Sequence, residues 1–180
     1  MHEDDQYEFQ SLEELADAID AQKQQEQEGP PAIEVWQDYD PSQRFVSVFS
    51  VTEAQGARSS TVAYYIFEPG KHSGLHHDNA EEVIYIADGE GEIFVAGAQQ
   101  KLEPGTFLVI GAGVPHDIYA HGDRQLQLLS FFPTSVVEST FQDPLLPLGS
   151  NVLASNFNQP QLTEVTPDDL PPELRHLAGG

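Results

Sequence analysis

Apolar and polar positions change rhythm twice along this chain. Near the start, Leu12, Leu15, Ala16 and Ile19 recur on one helical face. Ser11-Leu12-Glu13-Glu14 precedes them as a capping box, a hydroxyl N-cap with a glutamate three residues on. The pattern predicts a short N-terminal helix over 12–21. It should fade in the Gln/Glu-rich run 22–28 and stop before Gly29-Pro30-Pro31, which cannot continue it. One short amphipathic helix cannot bury itself, so it is expected to dock on the main domain or on a partner chain.

From Ile33 to Phe132 the rhythm becomes that of short strands. The runs are 33–36, 45–51, 61–67, 83–87, 91–95, 106–110, 117–120 and 125–132, all rich in β-branched and aromatic residues. Asp88-Gly89-Glu90-Gly91 is a tight-turn sequence and predicts a hairpin. Alternation nominates Tyr64, Ile66, Ile84, Phe107, Val109, Leu128 and Phe132 as inward-facing. After Pro133 the pattern thins, broken by Pro144, Pro147, Pro160, Pro167, Pro171 and Pro172. Leu145, Leu146 and Leu148 remain available for packing, and 166–170 could start a last helical turn. Many short strands with regular turns point to an all-β sandwich or barrel, not to alternating βα units. The expected organisation is therefore an acidic helix and linker over 1–32, a β-barrel domain over 33–133, and an irregular Pro-rich C-terminal tail over 134–180. The tail should cross the barrel or a neighbouring subunit.

Charge narrows the partners. Seven Lys and Arg against 30 Asp and Glu leave a net charge of −23. Such a surface repels phosphate backbones and anionic headgroups, so neither nucleic acid nor membrane is expected as a partner. The acid is concentrated at the front: residues 1–40 hold 13 Asp or Glu and one Lys. Many acids with few lysines fit either a salt-adapted, halophilic protein or an ordinary acidic flank. Cysteine is absent, which removes disulfides, thiolate ligands and thiol nucleophiles together. The N-terminus shows neither a basic nor an apolar signal region, and no apolar run reaches the length of a membrane span; a cytoplasmic location is expected.

The chemistry lies in histidines. Four of the seven crowd into two stretches, His72, His76 and His77 in the first and His116 in the second. Imidazoles at one strand end, a carboxylate opening the next strand and an imidazole from a later strand can converge inside a small barrel. Neutral imidazole and carboxylate are the ligand set of Fe(II), Mn(II), Ni(II), Co(II) and Zn(II). Alternation with Ile84 and Ile86 turns Glu82 inward and leaves Glu81 to solvent. His72, in a Gly/Ser turn, is read as a rim residue, and His2, His121 and His176 as surface or tail positions.

These stretches resemble the paired motifs of the cupin superfamily. Gly70, five residues and His76, then Glu82, six residues and Gly89, match its first motif. Gly105, Gly113 and His116 match the second, although Gly111 stands for the usual Pro and Ala120 for the usual Asn. The resemblance covers about residues 45–132. It implies a small antiparallel β-barrel, a double-stranded β-helix of jelly-roll type, holding one divalent metal ion by its His, Glu and His positions. The second ligand is open. Strict motif spacing places it at Asp78, giving His76, Asp78 and His116, a two-histidine, one-carboxylate triad. A register with one residue deleted makes it His77, giving His76, His77, Glu82 and His116. That register needs a local bulge, a common feature beside active sites, and is preferred here.

The expectation is a metal-binding protein acting on a small-molecule substrate, first as an oxygenase-type enzyme. A metal-dependent isomerase or decarboxylase and a non-catalytic binding module are the alternatives. A homodimer is expected, since twofold dimers are the commonest assemblies.

Overall fold

In the run Leu126–Phe132 every second side chain (Leu126, Leu128, Ser130 and Phe132) is fully buried, the signature of a strand with one face in a core. The computed structural model describes residues 32–156. Within them the chain forms twelve strands: β1 Ala32–Trp36, β2 Arg44–Val51, β3 Thr61–Phe67, β4 His76–Asp78, β5 Glu82–Asp88, β6 Glu90–Val95, β7 Ala98–Leu102, β8 Phe107–Ile110, β9 His116–His121, β10 Leu126–Phe132, β11 Glu138–Leu145 and β12 Ser150–Ala154. Among the described residues the only helical element is the 3-10 turn Glu53–Gln55, so no helix there is long and apolar enough to cross a membrane. The expected helix over 12–21 and the last helical turn over 166–170 lie outside the described residues.

The strands form two six-stranded antiparallel sheets, in the orders β1-β2-β3-β10-β5-β8 and β12-β11-β4-β9-β6-β7. Val35, Phe45, Phe67, Ile84 and Leu128 of the first sheet share one core with Ile93, Leu102, Ile118, Phe141 and Leu153 of the second. Burying each such side chain contributes about 1.5–3 kcal/mol, which holds the sheets face to face.

Several expectations need correction. The fold is all-β, but the sheets do not close into one barrel; between the β1 edge and the chain after β11 only an isolated Trp36–Leu146 bridge forms. Residues 134–156 are not irregular, because β11 and β12 extend the second sheet. The alternation of Ser139 and Phe141 inward is short and interrupted by Pro144, so its strand signal is weak. β7 was also hidden, its Ala-Gln-Gln-Lys-Leu run being polar and exposed as an edge strand can be. Tyr64, Ile66, Phe107 and Val109 face outward. Tyr65, Phe67, Leu108 and Ile110 take the inner positions, because β3 and β8 are apolar on both faces and alternation could not choose between them.

The Asp88–Gly91 turn is no hairpin either. β5 pairs with β10 and β8, whereas β6 pairs with β9 and β7, so the turn carries the chain from one sheet to the other. Gly89 makes that corner with φ +77, and a Cβ there would lie 2.2 Å from the Gln125 carbonyl oxygen. Gly97 has a similar φ of +85 but open space around it. Gly89→Ala should therefore lower stability in urea unfolding by about 2 kcal/mol or more, and Gly97→Ala by only about 1 kcal/mol. Equal losses would show that the close approach to Gln125 is unimportant.

Candidate metal centre

β4 is short but regular. His76 lies opposite Phe141 on one side and His116 on the other, His77 opposite Thr140, and Asp78 opposite Ser139. Simple alternation then sends His76 and Asp78 into the sandwich and His77 out to solvent. The bulge that would have brought His77 beside His76 is absent, and with it the contact between those two rings inside the fold. His116 opens β9, fully buried, and Glu82 opens β5 in the facing sheet, 3% exposed.

Four side chains therefore converge from three strands. Atoms of His76, Asp78 and His116 that could ligate a metal lie within 4.8 Å of one another. His116 Nε2 is 3.6 Å from Asp78 Oδ2 and 3.3 Å from Glu82 Oε2, and the two imidazole centroids are 4.1 Å apart. Neighbouring donors ~2.1 Å from one ion stand about 3–3.5 Å apart, so this spacing fits one cation.

The hydrogen bonds around the group fix which atoms face inward. His76 Nδ1 donates to the Gly74 carbonyl at 2.8 Å and His116 Nδ1 to the Val114 carbonyl at 3.0 Å. Each ring thus turns its Nε2 to the interior, the tautomer that leaves a lone pair for a ligand. Ser139 Oγ donates to Asp78 Oδ1 at 2.5 Å and sets that carboxylate. Glu82 Oε2 and His116 Nε2 are buried with no hydrogen-bond partner. A cation between two such atoms would satisfy both. The residues present fit a divalent ion.

The electrostatics of His76 agree with that reading. Enclosure in the fold, and next the neighbouring His116, push the His76 pKa down to about 4, so the ring is neutral and able to ligate near neutrality. Burial, opposed by the Ser139 hydrogen bond, raises the Asp78 pKa. Burial acts against the His116 cation too, but the Glu82 carboxylate outweighs it and the pKa is raised. Tyr65 is held well above 10, first by burial and then by Glu82 and Asp78, so its phenol stays protonated.

The interior cavity beside the group is narrow, about 10 Å³, the room of one water molecule. Tyr65, Ser73, Ser139 and a wall of Phe45, Phe67, Ile118, Phe141 and Leu153 surround it. A wider groove of about 210 Å³, between Leu75, His77, Pro115, Thr140 and Gln142, shares His76 and Phe141 with it. His77 therefore lines the approach and not the centre.

The family model described as a cupin domain matches residues 63–132, the span that carries His76, Asp78, Glu82 and His116. Over those residues the chain carries a cupin domain. A cupin-2 domain protein from Rhodospirillum rubrum superposes with a TM-score of 0.52 at 18% identity, over 58% of this chain and 69% of its own, which shows the shared fold. The polyketide cyclase RemF from Streptomyces resistomycificus gives a TM-score of 0.46 at 19% identity, over 58% of this chain and 68% of its own. Salicylate 1,2-dioxygenase from Pseudoaminobacter salicylatoxidans gives 0.46 at 21% identity, over 68% of this chain, which spans about a third (32%) of that enzyme. No curated protein matches the sequence.

Behind this centre lies a second polar cluster that sequence reasoning missed. His72 is not a rim residue: it is 7% exposed and stacks on Tyr119 at 4.6 Å. Its Nδ1 lies 3.1 Å from Asp117 Oδ2 and its Nε2 3.2 Å from Asp40 Oδ2. Asp117 Oδ1 also accepts from the Gly74 N–H at 2.9 Å and from Ser73 Oγ at 3.0 Å. The cluster thus holds Gly74, the residue whose carbonyl orients His76. Asp117 was visible in the sequence only as the neighbour of His116, and Ser139 lay in a segment read as tail. Tyr65 was passed over because the register of β3 was taken one residue off.

Burial works against charge on His72, but Asp117 and then Asp40 outweigh it and raise the pKa above 6.5. A group protonated more readily in the folded state adds stability that is complete below pH 6.5 and fades as pH rises through the folded pKa. In metal-free protein, urea midpoints from pH 6 to 9 should fall more steeply for the parent than for His72→Gln. Parallel curves would show that His72 carries no extra proton in the fold.

Proposed function

We propose that this protein binds one divalent metal ion through His76, Asp78 and His116, with Glu82 as the completing carboxylate, and acts on a small organic molecule by oxygenase-type chemistry. The observation that carries this reading is the pair of unpartnered buried atoms, Glu82 Oε2 and His116 Nε2, beside two imidazoles whose Nδ1 atoms are already committed. Two neutral imidazoles and two carboxylates bear two negative charges, which a divalent ion cancels. Two histidines with a carboxylate are also the donor set of non-haem iron(II) oxygenases, which favours that class over isomerase or decarboxylase chemistry.

Bound there, the ion supplies Lewis acidity and, if redox-active, electron transfer. The chain does the rest. Gly74 and Val114 hold the rings, Ser139 holds Asp78, and the Phe45, Phe67 and Phe141 wall excludes water and strengthens every polar interaction inside. The protonated Tyr65 hydroxyl lines the interior cavity as a neutral polar group. Substrate approaches along the groove that His76 and Phe141 share with the interior, since the cavity itself holds no more than a water.

Metal bound per chain at fixed free metal separates the ligand sets. His76→Ala, Asp78→Ala and His116→Ala should each cut retention by ~10-fold or more, while His77→Ala keeps it within about twofold. A His77→Ala protein that loses its metal beside an Asp78→Ala protein that keeps it would overturn the assignment. Oxygen uptake by the loaded protein across a panel of small aromatic and keto substrates tests the reaction class. Turnover without oxygen uptake would replace it with an isomerase or decarboxylase.

A further inference from the structure

In a chain of net charge −23, the groove beside the centre is lined by no Asp, Glu, Lys or Arg. Its polar side is built from the His77 imidazole, the Thr140 hydroxyl and the Gln142 amide, none of which carries a fixed charge. His77 lies opposite Thr140 in the ladder between β4 and β11, and Gln142, two residues on, stands on the same outward face of β11. The Gln142 N–H donates to the Leu75 carbonyl at 3.2 Å, which ties the apolar wall to this row and leaves the amide side chain free. Among the described residues none of these three side chains has a hydrogen-bond partner. Glu138, the preceding outward residue of β11, does not line the groove.

Charge selects the occupant. The field of the chain repels an anion, and no Lys or Arg stands in the groove to offset that repulsion. A cation finds no carboxylate there and would exchange its hydration for the aliphatic surfaces of Leu75 and Pro115. An uncharged molecule meets neither penalty. The volume of about 210 Å³ is below the range of about 300–1,000 Å³ that holds drug-sized ligands, so the groove suits a molecule of a single ring. His76 and Phe141, whose rings stack with centroids 4.7 Å apart, line both the groove and the interior cavity and so stand between them. We infer that the substrate is an uncharged single-ring molecule bearing an amide, hydroxyl or keto group, which His77, Thr140 and Gln142 select by hydrogen bonding. The substrate role rests on the metal-centre reading above; the preference of the groove for an uncharged ligand does not.

Benzamide, benzoate and benzamidinium share one shape and differ in charge, and their titration into the full chain tests this. The salt is held at about 0.15 M, where the Debye length is about 8 Å, and the backbone amide resonances of Thr140 and Gln142 report binding. In metal-free protein benzamide should bind about 10-fold or more tightly than either ion. Thr140→Val, which keeps the shape and loses the hydroxyl, should weaken benzamide by about fivefold. Gln142→Lys should strengthen benzoate by about threefold or more and weaken benzamidinium. Gln100→Lys makes the same charge change on β7, at the far edge of the second sheet, and should alter neither. Gln142 and Gln100 are both exposed, so far-ultraviolet circular dichroism should stay parental. In cobalt(II)-loaded protein, with metal per chain measured on the same samples, the ring protons of bound benzamide should broaden. An ion that binds as well as benzamide overturns the inference, as does a Gln142→Lys protein that behaves like Gln100→Lys. Benzamide bound without broadening in cobalt-loaded protein overturns the substrate role. A chain that selects benzamide but takes up no cobalt upholds the groove's preference and removes the metal centre, and the substrate role with it.

Discussion

Ionisable side chains placed between two apolar sheets are stable only when something compensates their charge. An unpaired carboxylate buried in this way costs several kcal/mol, even after the surroundings relax. The interior here holds Asp78, Glu82, His76 and His116 side by side, and the fold answers part of the demand itself. Carbonyl groups at Gly74 and Val114 each accept a hydrogen bond from one ring, and Ser139 donates to one oxygen of Asp78. What remains unanswered, Glu82 Oε2 against His116 Nε2, is the demand that the proposed cation would meet.

The architecture follows from keeping that group in register. β4 holds only three residues, yet it lies between β11 and β9, so the positions of His76 and Asp78 are set by ladders on both sides. Glu82 comes from the facing sheet, which makes the centre sensitive to how tightly the sheets pack. Phe45, Phe67 and Phe141 stack across that gap with centroids 5.4 to 6.0 Å apart, and Phe141 also stacks on His76. Core packing and site geometry are therefore one structure. Behind them the His72–Asp117 cluster holds the turn that orients His76.

The same sheet differs on its two sides. Its inner face carries Tyr65, Glu82 and Ile84 toward the centre, and its outer face carries the apolar rows of β8, β5 and β10. A strand buried on both faces reads as a continuous apolar run, whereas one solvated face gives alternation. β8 reads as such a run, Phe107-Leu108-Val109-Ile110, although one face is bare in the single chain.

How much was legible divides along these lines. The strand content between 33 and 132, the two glycine-anchored histidine stretches and the inward turn of Glu82 follow from local alternation and spacing, and the structure carries all three. The all-β class was readable for the same reason, because strand propensity and turn chemistry act over a few residues. The choice between His77 and Asp78 was not readable, since it hung on a bulge that the sequence allows and the ladders with β11 and β9 do not form. Nor was the parity of β3 and β8: with apolar residues on both faces, only the packing of the second sheet decides which row is inside. The Asp88–Gly91 turn has the composition of a hairpin, but a hairpin and a corner between sheets use the same residues. β11 and β12 became strands because β4 offers them an edge, a partner far away in sequence. Local chemistry determined most of the strands between 33 and 132 and which residue types could bind a cation. Long-range pairing alone decided which of them meet.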